Sequence, residues 1–566
     1  MTDRAKDEVA AQVLAVIGAR FERPGAEDTG DILDRARRLA RARPPTPGDA
    51  PSRTSERAAV PAPVPGPSNP TRPAPDMRHV DHFLYASGAL LLVVYFFRLT
   101  RASLHVYFTP DDLANLYRAW ALSSGHLLKA NLLFFLSSDF GRPMGSLWYR
   151  VIFAFAGFHP FWFHTSNLAI LMANIWLTYS VARRLAQSRE IAALSALAMA
   201  YQYRLGWLYF DTGFIYDVLC YFFLFAALAL YLRVRRRAAL PRSWEWTAFF
   251  VLYVCALDSK EMAVMLPAFL GIYELLYHPP ITRQPAALYR WLRCEGRAAL
   301  LTGAVAVVFV IGRSTGPLSL THNPAYRPSF TWAQFMLTSR HFAGDFLTMP
   351  DWPAWAVVLL WTALAVIALA ARSRVLCFAW LFLILSPLPI AFIAPRGPAQ
   401  YYVPLFGWTV YASTLASRTA SFLTRDAALS EYWLTRLRGA ALFVASMAIL
   451  YSLFKPLGYA GITSASVEAP QNRITVTQLH AAAPSVRPGS RLLFLNDPIR
   501  PDWFNLTFMV QLSYGDPSLR VFRVKEMKYK PNDMDTENYD YIFDYHEGRF
   551  FKLKEPGPAG KSIGRG

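Results

Sequence analysis

Long apolar runs separated by short basic segments dominate the chain from His82 onwards. Most of these runs are close to the ~20 residues that a helix needs to cross a bilayer. The pattern predicts about eleven spans, at roughly 82–98, 160–182, 190–208, 213–232, 245–258, 262–278, 297–313, 353–371, 375–394, 399–417 and 439–456. The chain is therefore expected to be an all-α polytopic membrane protein.

The run Met144–Gly157 is apolar as well, but it is short and ends at a glycine. We expect it to lie at the membrane surface or dip into it. With this assignment and a cytoplasmic N-terminus, arginines fall in every inner loop, at positions 183–184, 233–237, 283–293, 372–374 and 418–438. This positive-inside pattern predicts a multi-pass protein of the inner (plasma) membrane whose C-terminal domain is periplasmic or extracellular.

The residues before the first span differ in composition from the rest. A cytoplasmic helical segment is predicted at 1–43. Residues 44–79 are expected to be a disordered linker, because 11 of the 40 prolines lie between Pro44 and Pro75.

The transmembrane domain is predicted at 80–456, with outer loops at 99–159 and 314–352. Residues 457–566 are more polar and contain strand-like runs. These runs lie at 491–495, 519–524, 541–545 and 550–553, and they predict a small C-terminal extramembrane α/β domain.

Composition agrees with the membrane assignment. Of the 566 residues, 54% are hydrophobic and only 17% are charged, whereas soluble proteins have about 25% charged residues. The formal net charge is +19 and the mean hydropathy is +0.21. Strong positive charge often indicates nucleic-acid binding, but these arginines lie mostly at the ends of apolar segments, so no nucleic-acid partner is expected. The 4 cysteines form no CxxC pair, which favours ordinary thiols over a metal or redox site.

The segment Phe108–Trp120 contains the clearest candidate chemistry. Thr109 and Pro110 form a favourable helix start, and Asp111 and Asp112 in the first turn complement the helix dipole. Helix capping alone would explain two acids at this position. Their place in the first outer loop, between membrane-embedded elements, also makes each a candidate general base or cation ligand.

Several short motifs accompany this loop. They are Gly141-Arg142-Pro143 before the surface helix, His164-Thr-Ser-Asn167 in the second span, Phe210-Asp211 to Tyr216-Asp217 at the fourth, and Leu257-Asp-Ser-Lys-Glu-Met262 between the fifth and sixth. Together with an N-in first helix and an acidic first outer loop, they resemble the GT-C superfamily of polytopic glycosyltransferases, of the protein O-mannosyltransferase and aminoarabinose-transferase kind. The resemblance covers about residues 82–415. Some O-mannosyltransferases have a tetratricopeptide array after their membrane part, and this sequence shows no such array.

The resemblance implies transfer of a sugar from a polyprenyl-phosphate donor to an acceptor protein, lipid or glycan on the outer face of the membrane. Asp111 is the better match to the family's catalytic acid, with Asp112 beside it. GT-C enzymes include metal-dependent and metal-independent members. Asp111 and Asp112 could hold Mg²⁺ or Mn²⁺, and the residues suggest no other cofactor.

A lipid-phosphate leaving group requires fixed positive charge near the outer membrane boundary. Lys260 is the first candidate, because it lies at the outer end of two apolar spans, where an unpaired cation is costly. An ion pair with Glu261 or Asp258 would explain Lys260 equally well. Arg396 is the second candidate, and snorkelling to lipid headgroups is its alternative explanation.

The other candidates for substrate binding share a position at the outer ends of spans. They are Arg142, Glu261, His164, Asp211, Asp217, Tyr401 and Tyr402. Of Asp211 and Asp217, Asp217 is the more informative, because it begins an apolar span, where a carboxylate is expensive. Acidic and aromatic side chains in this position could hold a sugar by hydrogen bonds and stacking.

Two other classes of membrane protein compete with this interpretation. A multi-span transporter is expected to show repeat symmetry and broken helices near the membrane midplane, whereas the polar candidates here lie at one face. A ligase or polymerase of lipid-linked glycans would share the donor chemistry and join longer chains.

Overall fold

A computed structural model describes residues 78–132, 142–201, 205–237, 242–280, 282, 284–315, 327–347, 352–425, 431–460, 463–501, 505–528, 530–532 and 535–556. The predicted segment 1–43 and nearly all of the linker 44–79 lie outside these ranges. The chain divides into two compact units, residues 1–85 and 86–566. Within the first unit, only the beginning of the first helix belongs to the described residues.

The described residues of the membrane part form helices joined by loops. Its helices are α1 Arg78–Thr100, α2 Pro110–Ala121, α3 Ser124–Leu132, α4 Pro143–Ala156, α5 Pro160–Ala186, α6 Arg189–Ala200, α7 Gly206–Phe210, α8 Ile215–Arg235, α9 Ser243–Ser259, α10 Leu266–Tyr277, α11 Pro285–Cys294, α12 Arg297–Thr315, α13 Trp332–Leu347, α14 Ala354–Ala370, α15 Arg374–Leu385, α16 Leu388–Ala391, α17 Tyr402–Leu423 and α18 Glu431–Ala460. Short 3₁₀ turns precede α8, α10 and α17, at Thr212–Phe214, Glu261–Met265 and Pro398–Tyr401.

Each predicted span is occupied by helix. Among the described residues, 5 stretches are both long and apolar enough to cross a bilayer, namely Ala86–His105, Thr212–Arg235, Arg297–Thr315, Arg374–Ala391 and Glu431–Ser452. The chain is thus a multi-pass membrane protein, while the count of eleven spans stays a prediction. Helix α4 has 14 residues and is about 21 Å long, which is shorter than the ~30 Å apolar core of a bilayer.

Helix α8 forms the centre of the membrane part, where it packs between α5 and α9. Polar side chains of α5 bond to it instead of facing lipid. Asn174 Nδ2 donates to the carbonyl of Val218 at 3.0 Å, and the hydroxyls of Thr178 and Tyr221 are 2.7 Å apart. Hydrogen bonds of this kind hold membrane helices together where the hydrophobic effect does not act between them.

The C-terminal part contains α19 Thr463–Ala482, β1 Arg491–Phe494, α20 Asn505–Tyr514, β2 Arg520–Arg523, β3 Tyr541–His546 and β4 Arg549–Lys554. The sheet order is β2-β1-β3-β4, with β1 parallel to β2 and β3, and β3 antiparallel to β4. Glu547 and Gly548, both with positive φ, form the two-residue turn between β3 and β4. The four predicted strands and the α/β character of this part are confirmed. Helix α20 packs on α2.

A glycine allows α4 to approach α8 closely. A Cβ atom at Gly145 would overlap the ring of Tyr216 on α8. Tyr216 is buried, so its ring has little room to move aside. This contact fixes the distance between two helices that carry candidate site residues.

We expect Gly145→Ala to destabilise the protein by about 1–3 kcal/mol, the usual range for overpacking. Thermal unfolding of the purified protein in detergent measures the effect. Gly125→Ala on α3 is the matched control, because nothing lies within 4 Å of a Cβ added there. Equal melting temperatures for the two variants would contradict the close α4–α8 contact.

Candidate active site

Helix α2 begins with a capping box. The hydroxyl of Thr109 accepts a hydrogen bond from the amide of Asp112 at 3.3 Å, and Asp112 Oδ2 accepts one from the amide of Thr109 at 2.9 Å. This reciprocal pair satisfies two amides at the start of the helix. It turns Asp112 into the protein, where it is fully buried, and leaves the neighbouring Asp111 exposed.

The second oxygen of Asp112 joins α2 to two other elements. Asp112 Oδ1 accepts from the hydroxyl of Thr212 at 2.5 Å and from that of Tyr149 on α4 at 3.3 Å. Tyr149 also donates to the carbonyl of Thr212 at 2.9 Å. The Asp112 carboxylate therefore connects the first outer loop, α4 and the turn before α8.

A third carboxylate lies beside the predicted pair. Asp211 Oδ1 accepts from the hydroxyl of Thr109 at 3.0 Å and from the amide of Gly213 at 2.8 Å. A Cβ atom at Gly213 would be 2.9 Å from Asp111 Cβ and 2.9 Å from Asp211 Oδ1. A glycine is required there because α2 and the 212–214 turn approach so closely. The structure thus brings Asp211 to Asp111 and Asp112, which lie 100 and 99 residues earlier.

Burial dominates the electrostatics of these three acids, which we call the carboxylate cluster (Asp111, Asp112 and Asp211). Burial raises the pKa of Asp112, and the hydrogen bonds from Thr212 and Thr109 oppose that rise. Burial also raises the pKa of Asp211, and the charge of Asp112 adds to it. The Asp111 side chain is exposed, yet burial raises its pKa as well. A carboxylate that solvent can reach and whose pKa is raised is suited to taking up a proton.

A second group of charges lies at the outer ends of α8, α9 and α12, and we call it the cation cluster. Lys260 forms an ion pair with Asp217, and both side chains are buried. Glu261 pairs with Arg142 at 3.1 Å and with Arg313 at 3.0 Å. Three cations and two carboxylates thus lie together at this boundary.

The arginines keep Glu261 ionised. Burial by itself would raise the pKa of Glu261, but Arg142 and Arg313 hold it below its ordinary value. The side chains of Arg142 and Arg313 remain 28% and 13% exposed. Both are more exposed than Lys260, whose side chain is only 6% exposed.

Helix α4 connects the two clusters. Arg142 is its N-cap, and the guanidinium lies 5.6 Å from the ring centre of Tyr216. Tyr149, seven residues later, contacts Asp112. Two helical turns separate these residues, so the clusters are about 10 Å apart along α4.

The structure packs three of the other predicted residues away from solvent. Tyr401 is 2% exposed, with its ring centre 4.5 Å from that of Phe342, and Tyr402 is 2% exposed, 4.5 Å from Tyr221. His164 is 1% exposed, on α5. For Arg396, the structure shows that its main-chain oxygen lies 3.1 Å from His341 Nε2 on α13, a helix within the predicted outer loop 314–352.

Two residues of the site were not among the sequence candidates. Arg313 is a charged residue at the outer end of a predicted span, and that position alone could have indicated it. Tyr149 lies in an apolar run, and nothing in its sequence context distinguishes it from a core residue. Within the described ranges, the structure contains no group of three His, Cys, Asp or Glu side chains arranged to hold a metal ion.

Comparisons with known proteins found similar solved structures, among them two crystal structures of one protein, and no match at the level of sequence. No family model matches the chain, and no curated protein does. The chain is similar in fold to ArnT from Cupriavidus metallidurans, a GT-C membrane glycosyltransferase. With the apo structure the TM-score is 0.44 at 13% identity, over 77% of this chain and 86% of that one. With the structure bound to undecaprenyl phosphate it is 0.42 at 14% identity, over 76% and 85%.

The raised pKa of Asp211 has a consequence for stability. The folded state binds the proton of Asp211 more tightly than the unfolded state, so the stability contributed by this group is lost as pH rises from about its ordinary value of 3.8. Asp211→Asn keeps an oxygen for Thr109 and Gly213 and removes the charge. We therefore expect the melting temperature of the variant, relative to wild type, to increase from pH 4 to pH 7.

Asp516→Asn is the control with the opposite sign. Hydrogen bonds from Ser518 lower the pKa of Asp516, so its contribution is present above about 3.8 and lost as pH falls. Its variant should lose a little stability relative to wild type as pH rises. A pH-independent difference for Asp211→Asn would show that this carboxylate is not destabilised by burial.

Proposed function

We propose that the protein is a membrane glycosyltransferase that moves a sugar from a polyprenyl-phosphate donor to a hydroxyl of an acceptor on the outer face of the membrane. The observation that carries this proposal is an exposed carboxylate, Asp111, that lies beside two buried ones on elements that α4 connects to the cation cluster. The residues of α4 that contact the two clusters, Arg142 and Tyr149, are about 10 Å apart along the helix, which leaves room for a sugar between a base and a phosphate. The sequence motifs that resemble GT-C enzymes support the same reaction.

In this reaction Asp111 is the general base. It removes the proton of the acceptor hydroxyl as that oxygen forms a bond to the anomeric carbon of the donor. The bond between the anomeric carbon and the phosphate oxygen breaks, and its electron pair leaves with the polyprenyl phosphate. A raised pKa brings a carboxylate closer to the operating pH, which improves its catalysis of proton transfer. Asp112 and Asp211 position Asp111 through Thr109 and Gly213.

The cation cluster stabilises the leaving phosphate. Arg142 and Arg313 are the groups we propose to contact it, since guanidinium binds phosphate through paired hydrogen bonds. Lys260 supports the cluster through Asp217. The cations lie at the ends of apolar helices, so the polyprenyl chain can remain in the membrane while its phosphate reaches the site.

The orientation of the chain across the membrane is part of this proposal. Inner loops rich in arginine place the N-terminus in the cytoplasm and residues 457–566 outside. Both clusters then lie at the outer boundary of the membrane.

We expect Asp111→Asn to lower the transfer rate about 10²–10⁴-fold, the usual loss when a general base is removed. An amide cannot accept the proton, while it caps a helix as well as the acid does. The donor is the polyprenyl-phosphate sugar that accumulates in cells lacking the gene, and transfer is followed with purified protein in nanodiscs. Asp535→Asn, at an exposed 3₁₀ turn of the C-terminal domain, is the control. Normal turnover by Asp111→Asn would remove Asp111 from the mechanism.

Arg142→Ala and Lys260→Ala should fail in different ways. Arg142 is partly exposed, so its loss should raise the KM for the donor while the protein folds normally. Loss of Lys260 leaves Asp217 as an uncompensated buried charge, which costs about 3–5 kcal/mol. Melting temperatures and donor titrations of both variants distinguish the two roles. A stable Lys260→Ala with poor donor binding would make Lys260 the phosphate ligand instead.

A further inference from the structure

Helix α11 lies at the end of the membrane part that is opposite the candidate site. Helix α8 begins at the cation cluster, where Asp217 is in its first turn. Its 21 residues extend about 31 Å, which matches the ~30 Å apolar core of a bilayer. At the far end of α8, Arg235 forms an ion pair with Glu295, the residue that directly follows α11. The site and α11 are therefore on opposite sides of the membrane.

Helix α11 is too short to cross a bilayer and is attached to the protein by one side chain. It has 10 residues and is about 15 Å long. It connects α10 to α12, and α12 is long and apolar enough to be a span. Trp291, the buried residue of α11, donates from Nε1 to the carbonyl of His278 at 2.6 Å. This bond holds α11 at the end of α10 and leaves most of the helix exposed.

The exposed side chains of α11 are apolar on one side and basic on another. Leu288 is 42% exposed, and Leu292 lies one turn later on the same side. Arg290 and Arg293, three residues apart, are both exposed. Tyr289 is 58% exposed between the two sides, and the Arg293 guanidinium lies 5.1 Å from its ring centre. A short helix with this distribution is typical of segments that lie in the membrane interface.

The arginines of α11 have no carboxylate beside them in the chain. Glu295 is the only acidic residue between α10 and α12, and it pairs with Arg235. Within the described ranges, Arg290 and Arg293 form no ion pair. Arg297, at the start of α12, is exposed as well. The segment therefore presents several positive charges that an anion from outside the chain could neutralise.

We propose that α11 lies in the lipid interface and binds the headgroups of anionic phospholipids, with Arg290 and Arg293 as the residues that contact them. This inference does not depend on the proposed reaction. A phospholipid supplies acyl chains for Leu288 and a phosphate for the guanidinium groups, which bind phosphate oxygens by charge-assisted hydrogen bonds. A headgroup with net negative charge is favoured, because arginines at a membrane surface are attracted by its charge. In the orientation proposed above, this is the cytoplasmic leaflet.

Quenching by brominated lipids in proteoliposomes tests the proposal. A bimane label is attached at Leu288→Cys, with Cys255→Ala, Cys294→Ser and Cys377→Ala to make it specific, since Cys220 is buried. The vesicles contain phosphatidylglycerol and phosphatidylcholine in equal amounts, and only one of the two lipids has brominated acyl chains. Half-quenching should require about fivefold less brominated phosphatidylglycerol than brominated phosphatidylcholine, the ratio that one arginine supplies at an anionic surface (about 1 kcal/mol).

Arg290→Gln combined with Arg293→Gln should bring the two half-quenching values together, while lipid still quenches the label from the apolar side of the helix. The melting temperature should not change, because neither arginine has an ion-pair partner among the described residues. Arg520→Gln combined with Arg549→Gln, two exposed arginines of the C-terminal sheet, is the matched control and should leave the fivefold ratio intact. A label at Leu359→Cys, 59% exposed on α14, should be quenched equally by both lipids.

Three results would overturn the proposal. A label at Leu288→Cys that neither lipid quenches would show that α11 does not lie on lipid and faces solvent or a partner protein. Equal quenching of this label by the two lipids would exclude selection of an anionic headgroup. A preference for phosphatidylglycerol that survives the double glutamine variant would remove Arg290 and Arg293 from the contact.

Discussion

The candidate site depends on one buried carboxylate. Asp112 closes the capping box of α2 with one oxygen and binds Thr212 and Tyr149 with the other. Burying a carboxylate is costly, and the cost is offset only when its oxygens are hydrogen-bonded. Because those bonds come from three separate segments, satisfying Asp112 fixes the first outer loop, α4 and the turn before α8 in one arrangement. Asp111 is exposed as a result, since its neighbour in sequence must face inward.

The charges of the site are separated by sign. The carboxylate cluster and the cation cluster lie about two helical turns apart on α4. Each is held by hydrogen bonds or ion pairs from several separate segments. A general base must be accessible to the acceptor hydroxyl whose proton it removes. A phosphate-binding group must be accessible to the phosphate. The exposed Asp111 and the partly exposed Arg142 meet these conditions, whereas Asp112 and Lys260 supply the buried support.

Local patterns in the sequence were sufficient to predict the helices and strands and the first residues of the candidate site. Thr109-Pro110 predicted the beginning of α2 to the residue, and strand-like runs predicted the four strands of the C-terminal sheet, because capping and strand propensity depend on neighbours in the chain. The partner of Lys260 was not predictable in this way. Glu261 and Asp258 are adjacent to it in sequence, yet its carboxylate comes from Asp217, 43 residues earlier. Helix packing decides that pairing.

The same limit applies to the C-terminal domain. Asn472 of α19 donates a hydrogen bond to the carbonyl of Phe108, 364 residues earlier, and no local pattern connects them. Tyr401 and Tyr402 are a further example, since the rings of Phe342 and Tyr221 that pack against them come from distant parts of the chain.

The structure of the protein in nanodiscs with bound polyprenyl phosphate would test the central claim most directly. The account predicts the phosphate within hydrogen-bond distance, about 3 Å, of Arg142 or Arg313, with Asp111 facing it across a gap that accommodates one sugar. A phosphate bound elsewhere, or a carboxylate cluster closed off from it by protein, would contradict the account.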